Sequence, residues 1–191
     1  MFNPSIFKDL TKLRSLSLAR YDCEDMNELF RNAPNLVSLY LCLFKNEPNF
    51  DFKPLPKLRY LNLTDRFNSQ KSLQKQLMTL NDEMKIIQLA RCGITHKSAE
   101  VLFKETMTKF RCLAKLEIEE CNIQVMCKEW FDGMSQLREL NLSGDKLAAI
   151  CSDDFENLKN LEVLNLECNK FKSLEANTFS CLKNLKSLCL S

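Results

Sequence analysis

Ten cysteines and a single histidine, His96, are the side chains here best suited to hold a metal or attack a substrate. Zinc sites draw their ligands from closely spaced pairs of Cys and His. No C-x-x-C occurs, and the nearest pair, Cys121 and Cys127, has five residues between. No metal site and no cofactor are expected. His96 follows Cys92 in an expected turn, has no carboxylate or nucleophile assigned to it, and reads as a surface histidine. Glu119 and Glu120 resemble an acid–base pair, but adjacent strand residues point to opposite sides and do not converge. With only 3 Gly, a backbone cradle for phosphate is not expected, and no G-x-G-x-x-G or G-x-x-x-x-G-K-[ST] string is present. The chain is therefore not expected to be an enzyme.

The remaining bulk properties narrow the partners. A formal charge of +2 over 191 residues gives no basic excess for nucleic acid. No apolar run reaches membrane-spanning length. The opening Met1-Phe2-Asn3-Pro4-Ser5-Ile6-Phe7-Lys8-Asp9 lacks the basic and apolar regions of a signal peptide.

What positions any functional side chain here is a repeat. The pattern L-x-x-L-x-L recurs as Leu13-Leu16-Leu18, Leu36-Leu39-Leu41, Leu58-Leu61-Leu63 and Met84-Ile87-Leu89. It continues as Leu113-Leu116-Ile118, Leu137-Leu140-Leu142, Leu161-Leu164-Leu166 and Leu185-Leu188-Leu190. Alternation within L-x-L puts both apolar residues on one face of a short strand. One coil cannot bury that face alone, so successive strands must stack and share a core. Between the strands, Phe131, Phe155 and Phe179 recur at one offset and should face inward. In the middle, 72–84 and 98–110 look helical, with Ser98 as the N-cap of the second.

These residues resemble the leucine-rich repeat family over the whole chain. The Phe-containing coils, the best being Leu161-Glu-Val-Leu-Asn-Leu-Glu-Cys-Asn169 with Phe179, are similar to those of Toll-like receptors and related extracellular ectodomains. The string Ile87-Gln-Leu89-Ala-Arg-Cys92 is instead similar to the intracellular ribonuclease-inhibitor and F-box class. The resemblance implies an α/β solenoid, a curved parallel sheet on the concave face with helices and turns on the convex one. It is read as a single domain over 1–191, with about seven to eight repeats, truncated at both ends because neither end carries a cap. The ninth repeat position, held by Asn or Cys in the family, here holds Tyr21, Phe44, Arg66, Cys92, Cys121, Asp145 and Asn169. Only the last four suit the turn.

The concave face is where such solenoids meet partners. Its central column is Ser17, Tyr40, Asn62, Gln88, Glu117, Asn141, Asn165, Cys189. A flanking column is Ser15, Ser38, Tyr60, Ile86, Lys115, Glu139, Val163, Ser187. Candidate partner-binding residues are Tyr40, Tyr60, Asn62, Lys85, Gln88, Arg91, Glu117, Glu119, Glu139, Asn141, Asn165 and Glu167. Arg14, Arg20, Arg59, Lys85 and Arg91 suggest a basic early half; Glu119, Glu120, Glu162 and Glu167 suggest an acidic late half. Cys127 and Cys151 share one offset in adjacent coils, so a disulfide is geometrically possible in an oxidising compartment. The sequons Asn62-Leu-Thr64 and Asn141-Leu-Ser143 arise from the strand template itself.

The function expected is recognition of a protein or other macromolecular ligand, with no nucleic acid and no membrane segment in this chain. The Toll-like resemblance implies a cell-surface or extracellular receptor ectodomain in innate immune signalling. The alternative is a cytoplasmic adaptor, like the substrate-recruiting repeats of F-box proteins.

Overall fold

The computed structural model describes residues 3–19, 25–42, 50–64 and 70–190. Tyr21, Phe44, Arg66, Arg20 and Cys23 lie outside the described residues. Eight strands form one parallel sheet in strict chain order. They are β1 Ser15–Ala19, β2 Ser38–Cys42, β3 Tyr60–Thr64 and β4 Ile86–Ala90. Then come β5 Lys115–Glu119, β6 Glu139–Asn141, β7 Val163–Asn165 and β8 Ser187–Cys189.

The register fixes the leucine spine. Leu16, Leu39, Leu61, Ile87, Leu116, Leu140, Leu164 and Leu188 stand side by side. Interior members are sealed: Leu39, Leu61, Ile87, Leu116, Leu140 and Leu164 are all buried. Only the two outermost strands leave theirs partly open, with Leu188 at 38%. A coil with one neighbour covers one side of its apolar stripe.

Backbone bonding repeats with the sequence. The Arg14 carbonyl accepts from the N–H groups of both Val37 and Ser38, at 2.8 and 2.9 Å. The same two-to-one pattern recurs at each step through to the Glu162 carbonyl, which accepts from Lys186 and Ser187. Asn35, Asn160 and Asn184 add a side-chain rung, each donating to the preceding coil, on Thr11, Ser135 and Lys159 carbonyls at 2.8 Å.

Among the described residues, three helices line the other side: α1 Met26–Asn32, α2 Gln70–Leu77 and α3 His96–Glu105. Short 3₁₀ turns replace helices later, at Lys128–Phe131 and Ser152–Phe155. Two corrections follow. Ser98 is not the N-cap: α3 starts two residues earlier, after Thr95, whose N–H donates to the Ser98 hydroxyl at 2.6 Å. His96 therefore opens a helix rather than sitting in a turn. α1 was not expected; Asp25 caps it, accepting from the Asn27 and Glu28 N–H groups at 2.8 and 3.1 Å.

Aromatic side chains fill the space between sheet and turns. Phe131 and Phe155 are fully buried, and Phe155 lies 5.8 Å from Phe179. Phe103 of α3 stacks on Trp130 at 4.5 Å and meets Phe131 edge-on at 5.8 Å. Phe30, Phe50 and Phe52 form a second cluster, 5.3 to 5.9 Å apart. Among the described residues, no helix is long and apolar enough to cross a membrane.

Candidate functional site

Side chains that alternate with the leucine spine line the open face of the sheet. The two polar columns stand in the register expected of them. Tyr40, Asn62, Gln88, Glu117, Asn141 and Asn165 occupy one, and Tyr60, Ile86, Lys115, Glu139 and Val163 the other. A third column carries Thr64, Ala90 and Glu119. Tyr60 is 42% exposed.

Cross-strand pairing turns these columns into a ladder. The Thr64 hydroxyl donates to Asn62 Oδ1 at 2.7 Å, and Asn62 Nδ2 donates to Gln88 Oε1 at 3.0 Å. Gln88 Nε2 in turn donates to Glu117. Lys115 bridges Glu117 and Glu139 at 2.9 and 3.0 Å. Asn141 Nδ2 donates to Glu119, and its Oδ1 accepts from the Ser143 N–H at 3.0 Å. Asn165 Oδ1 likewise accepts from the Glu167 N–H at 2.9 Å. Opposite charges facing each other across strands stabilise a sheet modestly, by about 0.2–1 kcal/mol per pair.

The sequons are consumed by this ladder. Both amide nitrogens, on Asn62 and Asn141, are donors to neighbouring strands. A glycan on either would remove those bonds.

The acidic end has its own electrostatics. Partial burial, followed by the like charges of Glu117 and Glu120, pushes the Glu119 carboxyl above its usual range. The hydrogen bond to Glu117 holds the Lys115 ammonium above its usual value, with Glu139 adding to it. Glu162 shifts the opposite way, lowered by Lys186 and then Arg138, which it pairs with at 2.7 and 2.5 Å.

The basic residues expected of the early half lie at the strand ends, and the charge of Arg91 acts on the Glu119 carboxyl of the face. Arg14, Arg59 and Lys85 each precede a strand, and Arg91 follows β4 at φ 54°. Arg59 pairs with Glu83 and donates to the Leu58 carbonyl at 2.8 Å. The face itself runs from neutral and aromatic over β2–β4 to acidic over β5–β6. Glu167 follows β7 and is half-buried.

Cys127 and Cys151 are not joined: both are free thiols. Each sulfur folds back on its own 3₁₀ turn. The Cys127 thiol bonds Glu129, and the Cys151 sulfur faces the Asp154 N–H. Cys92 and Cys121 are buried and donate to backbone carbonyls. Burial pushes the Cys121 thiol up to about 12. Among the described residues, no group of His, Cys, Asp or Glu is arranged to hold a metal ion.

The leucine rich repeat family model matches residues 136–191. The whole chain superposes on the TLR13 chain of a TLR13–ssRNA13 complex, with a TM-score of 0.66 and 23% identity. This chain has the fold of a leucine-rich repeat solenoid. It is also similar to internalin C2 from Listeria monocytogenes, with a TM-score of 0.60 and 19% identity. That match covers 97% of this chain and 84% of the internalin. The TLR13 match covers 100% of this chain but only 30% of the TLR13 chain. No curated protein matches. Sequence reasoning missed Trp130 in the core of this solenoid. It adjoins the recurrent phenylalanine position, and only the longer α3 brings Phe103 over it.

Proposed function

We propose that the open face of this solenoid binds a protein partner without catalysis, in a cell-surface receptor ectodomain of the Toll-like type. The observation that carries the binding role is the in-register ladder, which presents Tyr40 and Tyr60 beside Lys115, Glu117, Glu119 and Glu139 on one continuous sheet face. Tyrosine is enriched in interface hot spots, and a charged flank selects the orientation of the partner. Strands spaced about 4.8 Å apart put Tyr60 roughly 10 Å from Lys115, its register partner two strands on, and roughly 12 Å from Glu117. A partner that fits offers an apolar pocket for tyrosine and, one short step away, an Arg- or Lys-rich strip. Nucleic acid is disfavoured, because phosphates would meet Glu117, Glu119 and Glu139.

The extracellular placement rests on the Phe131, Phe155 and Phe179 coils. A second reading, a cytoplasmic adaptor, draws support from the buried Cys92 and Cys121 thiols and the α2 and α3 helices beside them. Counting thiols and glycans in native material separates the two: ten free thiols and no glycan favour the adaptor.

The binding role is tested with a synthetic Arg-rich peptide, an Asp-rich peptide and a single-stranded RNA. The Arg-rich peptide should bind, with affinity that falls as salt rises. The triple change Glu117→Lys, Glu119→Lys, Glu120→Lys should abolish that binding. Unchanged affinity, or preferential RNA binding, overturns the proposal.

A further inference from the structure

Asp145 stands at the ninth position of its coil, where Cys92, Cys121 and Asn169 stand in theirs. Those three share one task. The Cys92 thiol donates to the Leu63 carbonyl at 3.3 Å, and the Cys121 thiol reaches the Leu89 carbonyl at 3.9 Å. The Asn169 amide donates to the Leu142 carbonyl at 2.8 Å. Each thus closes onto the carbonyl of the sixth repeat position in the coil before it. The corresponding carbonyl for Asp145 is that of Ile118.

Asp145 performs the other half of the Asn role. Its Oδ1 accepts from the Cys121 and Ile123 N–H groups at 2.9 and 3.0 Å. Asn169 Oδ1 accepts from the Leu147 N–H in the same way, at 3.0 Å. The Asp145 Oδ2 is buried with no hydrogen-bond partner, in a residue only 2% exposed. A carboxylate offers no donor at that atom; a carboxylic acid does.

We propose that Asp145 is a proton-operated latch between the coils of β5 and β6: protonated on Oδ2, it donates to the Ile118 carbonyl as the neighbouring Asn and Cys do, and ionisation opens that bond. The surroundings favour the acid form. The negative charges of Glu119 and Glu120 in the coil before disfavour its ionisation, the Cys121 thiol next to them is neutral, and the neutral Asn169 follows in the next coil. Burial comes first among the causes that raise its carboxyl from 3.8 to about 6, while the Ile123 and Cys121 N–H groups oppose the rise. A raised folded-state value means the native chain binds the extra proton. The latch is fully engaged below about pH 4 and is lost as pH rises through about 6.

The experiment pairs a direct titration with a matched variant. NMR of the side-chain carboxyl carbon in the intact chain should place the Asp145 midpoint near pH 6. Asp145→Asn supplies a permanent donor. Its urea midpoint, followed by Trp130 fluorescence, should lie closest to that of the native chain near pH 4 and exceed it by a growing margin up to pH 7.5. A carboxyl midpoint below about 4.5, or a variant that tracks the native pH dependence, overturns the latch. If the variant fails to fold, the native titration still decides.

Discussion

Replacing Leu140 with alanine should cost the solenoid far more than the same change at Leu188, its counterpart two strands on. Leu140 is 1% exposed and packs between Leu116 and Leu164 in register, so its loss weakens two inter-coil interfaces. Leu188 is 38% exposed and pairs with Leu164 alone among the described residues. A buried Leu→Ala change costs about 2–5 kcal/mol, including the cavity it leaves. Leu140→Ala should fall near 3–4 kcal/mol on that scale, and Leu188→Ala at about 1 kcal/mol or less. Urea unfolding read by far-UV circular dichroism, with Trp130 fluorescence as a second probe, measures both. Equal costs, or a Leu140→Ala cost below about 1 kcal/mol, would refute a spine whose stability is shared between neighbouring coils.

Two further outcomes follow from local geometry. Alkylation at pH 8 under native conditions should modify the exposed Cys151 and Cys168 quickly and spare Cys92 and Cys121, which are buried; mass spectrometry of digests reads the order. Gly133→Ala should destabilise the chain by about 1–3 kcal/mol, because φ is +80° and a Cβ would lie 2.9 Å from the Thr108 carbonyl oxygen. Gly144→Ala should cost less, since the atom met there, at 2.8 Å, belongs to the Glu120 side chain, which can move. Thermal melting of the two variants ranks them, and a reversed order would contradict the contacts.

The spine was legible because its physics is periodic. Alternation within L-x-x-L-x-L dictates which residues share a face, and spacing dictates which strands adjoin. The polar columns followed without further assumption, from Tyr40 through Asn165. Helix starts were less legible. Thr95 and Ser98 are both competent caps, and only backbone geometry chose Thr95. The cap of α1 was written in Asp25-Met-Asn-Glu28, but a seven-residue helix has too short a period to stand out. Alternation could not orient the flanking arginines, because it stops where the strand stops: Arg59 precedes β3 and pairs with Glu83. Asp145 was read as a suitable turn residue by analogy with Asn. The difference between them is one donor, which depends on protonation and not on residue shape.

The binding claim is tested most directly by amide and side-chain NMR mapping of the chain during titration with the Arg-rich peptide. The account predicts that shifts concentrate on β3–β6, at Tyr60, Gln88, Lys115, Glu117, Glu119, Glu139 and Asn141, and fade with added salt. Shifts confined to α1, α2 and α3, or no shifts while a single-stranded RNA perturbs the sheet, would contradict it.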